Sequence, residues 1–387
     1  MWTVLEYTVL ALLGVQVLFF LIYALASLFK YDPLRGLKAD GIFADIKVFI
    51  PGYKEDKIIV DTALHALKQS YPHNKFEVIV LADSFSPETI EELKKLDVTV
   101  LEVSFENSTK AKSLNKGLEY ASSKSPDLAV ILDSDNVMSR NFLEKVNLAY
   151  QNGHKVIQGH RTAKNQQTTF ALLDAINEEI GNSIFRKGHR VLGVSSALIG
   201  SAMAFEFNYF KALMSDIEDV AGEDKLIELK VLREKQEIEY LPGAYVYDEK
   251  VSTGKGFSKQ RTRWVGAQFY FFRKYFIDGL KQLLTKGNFG YFDKVFQMFL
   301  VPKVLLIGVL GLASILATLG WLHFSWLIIA GTYFTSLLLA IPKRYYNTRL
   351  FIAVLNIPLA LFYMIKAILK INKDTASKFE VTEKGRL

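Results

Sequence analysis

Residues 7–29 form a run of 23 residues without a charged side chain, and this run limits the folds open to the chain more than any other feature. As a helix it is long enough to cross the hydrocarbon core of a bilayer. A secretory signal peptide is the alternative, but it would have a basic segment before a shorter apolar core, whereas Glu6 precedes this run. The run therefore predicts an N-terminal transmembrane helix within residues 1–30.

The charges that follow this run indicate its orientation. Lys30, Arg35 and Lys38 come directly after it, and an excess of Lys and Arg marks the cytoplasmic side of a span. We therefore predict an integral protein of a bacterial inner membrane, with the domain in residues 31–252 on the cytoplasmic side.

A second apolar region lies in the C-terminal part. Residues 304–341 contain no Asp, Glu, Lys or Arg over 38 positions, which is too long for one crossing. They predict a transmembrane helical hairpin that turns near Trp321. Lys343 and Arg344 follow it and indicate a return to the cytoplasm.

The last segment, residues 342–387, contains a further apolar stretch. Its apolar stretch, residues 350–369, contains Pro358 and Lys366. Two interpretations stay open: the stretch spans the membrane, or it lies in the interface as the third apolar segment of the chain.

Residues 45–250 alternate between two hydrophobic periods. Runs rich in β-branched residues predict strands at 46–50, 76–81, 98–103 and 128–132, and helical patterns lie between them at 57–69, 87–96 and 111–123. This alternation predicts an α/β fold with a parallel sheet. Ligands of such sheets bind at the carboxyl ends of the strands, so polar residues there are candidate site residues.

Two carboxylates follow the fourth predicted strand, in the sequence Asp133-Ser134-Asp135. Mg²⁺ and Mn²⁺ prefer such oxygen ligands and commonly bridge to phosphate. Turns also favour Asp, so the pair alone is weak evidence for a metal site. Its position directly after a buried strand favours metal binding.

Three further polar groups occur where strands end or helices begin. Tyr53 and Glu55 follow the first strand, Asp83 ends the second, and Lys110 and Asn115 open the helix after the third. Each is individually typical of a turn or helix cap. Together they predict a nucleotide site, because carboxylates bind base or ribose while Lys and a metal neutralise phosphate.

An acidic pair, Glu223 and Asp224, precedes another helical pattern. The helix dipole favours acidic residues in a first turn, and a carboxylate beside an acceptor hydroxyl can also act as a general base. The residue pattern alone does not choose between these two interpretations.

Much of the net charge of +7 lies near the second apolar region. Residues 253–303 contain ten Lys or Arg and two acidic residues, interleaved with Phe and Tyr. They predict amphipathic helices on an anionic membrane surface rather than a nucleic-acid site.

Gln260, Arg263 and Trp264 share a helical face in this segment, where Arg could bind a diphosphate and Trp a sugar ring. An interfacial Trp with a snorkelling Arg is the alternative.

Taken in order, these groups resemble motifs of the family 2 membrane glycosyltransferases, which include the cellulose, chitin and hyaluronan synthases. Pro51, Tyr53 and Glu55 resemble Pro-x-Tyr-x-Glu, Asp83 resembles a lone Asp, and Thr109 to Asn115 resemble Gly-Lys-Ala-x-x-Leu-Asn. Asp133 and Asp135 form the Asp-x-Asp, Gly222 to Asp224 the Gly-Glu-Asp, and Gln260 to Trp264 the Gln-x-x-Arg-Trp. Thr109 and Lys54 depart from the usual Gly and Asn.

The resemblance implies an A-type glycosyltransferase (Rossmann-like) domain between N- and C-terminal transmembrane helices, a UDP-sugar donor, Mg²⁺ or Mn²⁺, and inversion at the anomeric carbon. It makes Asp224 the catalytic base and Asp133 and Asp135 the metal ligands. The donor would be bound by Pro51, Tyr53, Glu55, Asp83, Lys110, Asn115, Asp133 and Arg263. The acceptor would be bound by Gly200, Ser201, Glu223, Gln260 and Trp264.

Three functions follow from this resemblance. The first is extension of a polysaccharide at the membrane, with or without homo-oligomer formation. The second is addition of one sugar to a lipid or lipid-linked acceptor. The third is a non-catalytic membrane protein that binds nucleotide-sugar, against which the intact acidic residues argue. The identity of the sugar is not encoded in any of these motifs, and residues 158–161 and 200–201 are expected to shape its pocket.

Overall fold

The structure is a computed structural model that describes residues 2–38, 40–217 and 222–370. One sheet contains eight strands: β1 (Ile46–Tyr53), β2 (Phe76–Asp83), β3 (Thr99–Val103), β4 (Leu128–Ile131), β5 (Val137–Met138), β6 (Val156–Ala163), β7 (Met203–Glu206) and β8 (Ile238–Asp248).

The helices in the first part of the chain precede these strands or are interspersed with them. They are α1 (Trp2–Ser27), α2 (Asp56–Ala66), α3 (Pro87–Lys94), α4 (Lys110–Ser122), α5 (Phe142–Gln151), α6 (Thr169–Gly181), α7 (His189–Val191), α8 (Phe207–Met214) and α9 (Glu223–Arg233). A π-helix, Asn182–Gly188, joins α6 to α7, and a short 3-10 turn, His73–Lys75, precedes β2.

The C-terminal part is helical. It contains α10 (Gly254–Lys286), α11 (Phe289–Phe299), α12 (Lys303–Thr318), α13 (Ser325–Ala340), α14 (Thr348–Leu355) and α15 (Ile357–Ile368), with a 3-10 turn at Lys343–Tyr345. The strands and helices predicted between residues 46 and 132 occur within a few residues of their predicted bounds.

Half of the sheet is parallel, in the order β3-β2-β1-β4. Ile46 in β1 lies opposite Phe76 in β2 and Leu128 in β4. The side chains of β1 alternate between two buried faces: Phe49 joins the cluster that includes α4, and Val48 and Ile50 join the opposite cluster. Because both faces are covered, the strands are continuous apolar runs and were recognisable in the sequence.

The other half of the sheet is mixed, so the prediction of a parallel sheet up to residue 250 is wrong beyond β4. β7 is antiparallel to both β4 and β6, and β8 is parallel to β6 and antiparallel to β5. The reason is physical: a strand buried on both faces has the same apolar composition in either direction.

Three polar contacts hold α1 against the C-terminal helices. Glu6 accepts a hydrogen bond from the backbone N–H of His323 at 2.7 Å, and Gln16 accepts one from Val301 at 2.8 Å. At the other end of α1, Tyr23 donates to Asp293 at 3.1 Å. The tip of the α12–α13 hairpin therefore lies beside the start of α1, and the end of α1 lies beside α11.

Among the described residues, α1 is the one helix that is both long and apolar enough to cross a membrane. If each of two bent helix pairs is counted as one span, the number of candidate membrane spans rises to three. α11 and α12 form one such pair, bent by 61°, and α14 and α15 form the other, bent by 46°. The second bend coincides with Asn356 and a proline in the first turn of α15, which supplies no backbone N–H. Residues 371–387 of the predicted last segment lie outside the described part of the chain.

Candidate active site

The turn after β4 carries the two predicted metal ligands. The backbone N–H of Asp133 donates to the hydroxyl of Ser201 at 2.9 Å. Asp135 is only 5% exposed, and its Oδ1 accepts a hydrogen bond from Asn136 at 3.0 Å. Between the two aspartates, Ser134 donates its hydroxyl to the carboxylate of Glu55. Backbone and hydroxyl contacts therefore fix the conformation of this turn and leave both carboxylates at the strand's end.

Lys110 brings several of the predicted site residues together. Its Nζ lies 2.6 Å from Oδ1 of Asp133, 2.6 Å from the carbonyl oxygen of Gly200 and 3.8 Å from Oε1 of Glu223. Burial by itself would lower the pKa of Lys110, but the nearby carboxylates of Asp133 and Glu223 outweigh it and raise that pKa. The ammonium group is therefore charged at neutral pH and lies between two acidic elements.

Asp224 lies in the first turn of α9, against the loop that contains Gly200. A Cβ atom placed on Gly200 would lie 3.5 Å from Oδ2 of Asp224, so the carboxylate packs directly on this glycine. Burial raises the pKa of Asp224, but Lys225 and Lys110, together with Lys294, outweigh burial and lower it. The carboxylate is therefore ionised at neutral pH and can accept a proton.

The ends of β1 and β2 form the other side of the site. Tyr53 and Asp83 are paired in register at the carboxyl ends of these parallel strands, two positions beyond Pro51. Asp83 is 1% exposed and accepts a hydrogen bond from the hydroxyl of Ser84 at 2.9 Å. Lys54, in the place where relatives were expected to have Asn, has a φ of 54°, a left-handed conformation that Asn tolerates better than Lys.

Three of the predicted binding residues form hydrogen bonds with other residues of the protein. Glu55 accepts from Ser134, Asn115 donates to the carbonyl oxygen of Ile217 at 3.0 Å, and Ser201 donates to Asn136. Each contact holds a loop of the site in place, and direct substrate binding by these three residues stays a prediction.

A buried ionic network behind Asp133 was missed by the sequence reasoning. Arg161 lies 3.8 Å from Asp133, 2.8 Å from Glu178 and 3.4 Å from Asp248. Lys250 contacts Asp248 at 2.8 Å and also pairs with Glu178. Burial raises the pKa of Asp248 to about 6, against the opposing effect of Lys250 and Arg161.

One signal for this network was present in the sequence, because Asp248 ends β8 as Asp83 ends β2. Glu178 lies inside α6 and has no local signal. The stretch 158–161, which was expected to shape the sugar pocket, lies inside β6, where the pairing with β8 is irregular between Gly159 and His160.

The Gln-x-x-Arg-Trp residues lie on α10. Gln260 and Trp264 are half-buried, as is Arg263, and the guanidinium of Arg261 lies 4.4 Å from the centre of the Trp264 ring. Trp264 lines the same cavity as Lys225, the residue after Asp224. The roles of Gln260, Arg263 and Trp264 in binding the donor or the acceptor stay predictions.

A sequence model of the family described as "Glycosyltransferase like family 2" matches residues 44–267, which is more than half of the chain. The chain belongs to this family. The matched range contains every strand of the sheet and the start of α10, so the glycosyltransferase domain includes Asp133, Asp135 and Asp224.

Two individual proteins resemble this member of the family. "Probable glycosyltransferase YdaM" of Bacillus subtilis (strain 168) is 23% identical over 265 residues, covering 66% of this chain and 62% of the relative. This chain therefore spans less than two thirds of that relative's length. The structure of the mannosyltransferase PcManGT from Pyrobaculum calidifontis, in complex with GDP-Man and Mn²⁺, has a TM-score of 0.56 at 17% identity, covering 93% of this chain and 99% of that chain. These likenesses show a glycosyltransferase A-like α/β fold with a mixed sheet.

The oxygen ligands at the end of β4 fit a hard divalent cation. Asp133 and Asp135 supply two carboxylates on one turn, and Mg²⁺ or Mn²⁺ is commonly held by one or two carboxylates together with substrate phosphates. Among the described residues a second acidic group, His154 with Glu237 and Glu239, also comes close enough for a metal. Arg190 pairs with both glutamates, so part of their negative charge is already balanced.

Proposed function

We propose that this glycosyltransferase transfers a sugar from a nucleotide-sugar to an acceptor hydroxyl at a membrane surface, with inversion at the anomeric carbon. The observation that carries the proposal is the position of Lys110, whose Nζ lies 2.6 Å from both Asp133 and the carbonyl oxygen of Gly200. Because Asp224 packs on Gly200, the proposed metal-side and acceptor-side carboxylates lie on either side of one cation.

On the donor side, Asp133 and Asp135 would hold Mg²⁺ or Mn²⁺, and the metal would neutralise the diphosphate as it departs. Lys110 adds a fixed positive charge beside Asp133. Asp83, together with Pro51 and Tyr53, would bind the nucleotide at the ends of β1 and β2. Preorganised charges of this kind stabilise a transition state without reorganisation during the reaction.

On the acceptor side, Asp224 would remove the proton of the acceptor hydroxyl. That oxygen forms a bond to the anomeric carbon while the bond from this carbon to the diphosphate oxygen breaks. The nucleoside diphosphate leaves with the electron pair, and the proton remains on Asp224 until it passes to solvent. A general base typically contributes 10²–10⁴-fold to the rate.

The resemblance to polymer synthases makes a UDP-sugar the first donor to test and extension of a polysaccharide the first reaction. The solved structural neighbour is complexed with GDP-Man, so GDP-mannose is the second donor to test. Transfer of one sugar to a lipid-linked acceptor is the second candidate reaction. It is favoured by a basic cavity that adjoins Lys225 and apolar helices.

The proposal is tested with membranes that contain the full chain, incubated with radiolabelled UDP-sugars or GDP-mannose. We expect one donor to be consumed when Mn²⁺ or Mg²⁺ is present and consumption to stop in EDTA. A ladder of products indicates polymer extension, and one added sugar indicates single transfer. Failure of every donor to be consumed, by a protein that still binds a nucleotide, would support the non-catalytic alternative and overturn the proposal.

A further inference from the structure

A cavity of about 360 Å³ lies between the catalytic domain and the apolar helices. We call it the junction cavity. Phe20 of α1, Leu300 before α12, and Ala360 and Met364 of α15 form part of its apolar wall. The segments that contribute this wall are those predicted from sequence to contact the bilayer.

The polar part of the junction cavity is strongly basic. Five cationic side chains line it and, among the described residues, no Asp or Glu does; they are Arg186, Lys225, Arg261, Lys294 and Lys303. Two of the five have acidic partners outside the cavity wall. Lys294 pairs with Glu228 at 2.7 Å, and Arg261 pairs with Asp174.

The other three cations, Arg186, Lys225 and Lys303, form no ion pair within 4.0 Å in the described part of the chain. Arg186 is 5% exposed, and its Nη1 donates to Asn182 at 2.8 Å. Its Nε has no hydrogen-bond partner among the described residues, and the Nε of Arg261 is in the same situation. Burial lowers the pKa of Arg186, although Glu178 acts in the opposite direction.

A buried cation without a charged partner is costly, because it has lost its hydration without gaining an opposite charge. Arg186 is in this position, whereas Lys225 and Lys303 are half-buried. An anionic ligand would supply that charge and the missing hydrogen-bond acceptors. Arginine and lysine together are suited to phosphate oxygens. An apolar wall beside them is suited to a hydrocarbon chain rather than to an anionic polysaccharide.

We propose that the junction cavity binds the phosphate or diphosphate of a lipid-linked acceptor, with Arg186, Lys225 and Lys303 on the phosphate and the lipid chain along Phe20 and Met364. The proposal rests on the proposed function, since it identifies the acceptor of that reaction. Lys225 follows Asp224 directly, so an acceptor anchored there has its saccharide close to the proposed base.

The test is calorimetry on the purified full chain in a neutral detergent, with farnesyl diphosphate as the probe. EDTA is present, so that binding of the diphosphate to a metal at Asp133 and Asp135 does not contribute. We expect farnesyl diphosphate to bind at least tenfold more tightly than farnesol, which lacks the charge, or inorganic pyrophosphate, which lacks the chain. Equal affinity for pyrophosphate would mean a free-phosphate site and would overturn the proposal, as would equal affinity for farnesol.

Arg186→Gln and Lys303→Gln are each expected to weaken farnesyl diphosphate binding tenfold or more. Neither change leaves a buried carboxylate without its partner, because neither cation has one, so both variants should keep their thermal midpoint. Lys281→Gln is the matched control, since this lysine is exposed on α10 and its loss should not alter binding. Unchanged binding in a folded Lys303→Gln protein would overturn the proposal.

The two proposals fail separately. Normal farnesyl diphosphate binding by a protein that consumes no donor supports the cavity assignment and contradicts the proposed function. Donor consumption by a protein that binds no farnesyl diphosphate supports the function and contradicts the cavity assignment.

Discussion

Nζ of Lys110 lies 2.6 Å from Oδ1 of Asp133, at a point where α4 begins beside the end of β4. The same ammonium group reaches Glu223, 3.8 Å away in the first turn of α9. One lysine therefore joins the two acidic elements that the proposed mechanism uses for different purposes.

Replacing Lys110 by Met should impair both catalysis and stability. The change removes the cation between Asp133 and Glu223 and leaves Arg161, 3.8 Å from Asp133, as the more distant cation. Loss of one partner of a largely buried ion pair typically costs about 3–5 kcal/mol. We expect donor turnover to fall at least about 100-fold and the thermal midpoint to fall by several degrees. Lys116→Met, which changes an exposed lysine of the same helix, should alter neither. Normal turnover in Lys110→Met would remove this lysine from the mechanism.

Replacing Asp135 by Asn should abolish the dependence of donor affinity on a divalent metal ion. The amide keeps the size of the side chain but removes the charge that attracts a hard cation. Calorimetry with the nucleoside diphosphate should show tighter binding in Mn²⁺ than in EDTA for the unmodified protein, and no such difference for the variant. Asp97→Asn, at an exposed position after α3, is the control. A full Mn²⁺ effect in Asp135→Asn would exclude Asp135 as a metal ligand.

Asp248 should make stability depend on pH between its two pKa values. Burial raises its pKa from 3.8 to about 6 in the folded protein, so the folded state binds more protons than the unfolded state between these values. Its contribution to stability is thus fully present below about pH 3.8 and is lost as the pH rises through 6. A shift of this size corresponds to roughly 2–3 kcal/mol.

The measurement is the unfolding free energy of the unmodified protein and of Asp248→Asn in EDTA from pH 4 to 8. The two proteins should be similar near pH 4, and the Asn variant should be the more stable one above pH 7. A difference that stays constant over this range would show that Asp248 does not titrate there.

Gly188 should be required for contact between α1 and the catalytic domain. A Cβ atom at this position would overlap the carbonyl oxygen of Tyr23 and lie 3.0 Å from that of Ser183, and backbone atoms cannot move aside cheaply. Gly188→Ala should lower stability by about 1–3 kcal/mol, the usual cost of overpacking. Gly311→Ala is the control, because a Cβ there meets nothing within 4 Å. Equal thermal midpoints for the two variants would contradict this packing.

Asp83, Asp133 and Asp135 are the predicted site residues that lie at or directly after the carboxyl ends of parallel strands. Asp83 and Asp133 are 50 positions apart in the chain, yet the strands that carry them both flank β1. Hydrophobic runs locate such strands, and the geometry of a parallel sheet then brings their ends together.

The rest depends on contacts that no local pattern encodes. Arg161 pairs with Glu178 of α6 and Asp248 of β8, and these partners come from elements whose relative positions follow from the sheet order. The strand directions beyond β4 were mispredicted because a buried strand has the same apolar composition in either direction. The junction cavity likewise combines residues from α1, α9, α10 and α15, which are distant in the sequence.

The proposed role of Asp224 is tested by the turnover of Asp224→Asn, measured together with the affinity of this variant for the donor. We expect turnover to fall at least about 100-fold, because the variant has no base for the acceptor proton, and donor affinity to stay within about threefold of that of the unmodified protein. Turnover equal to that of the unmodified protein would contradict the assignment of Asp224 as the general base. Proton removal would then not depend on the carboxylate that packs on Gly200.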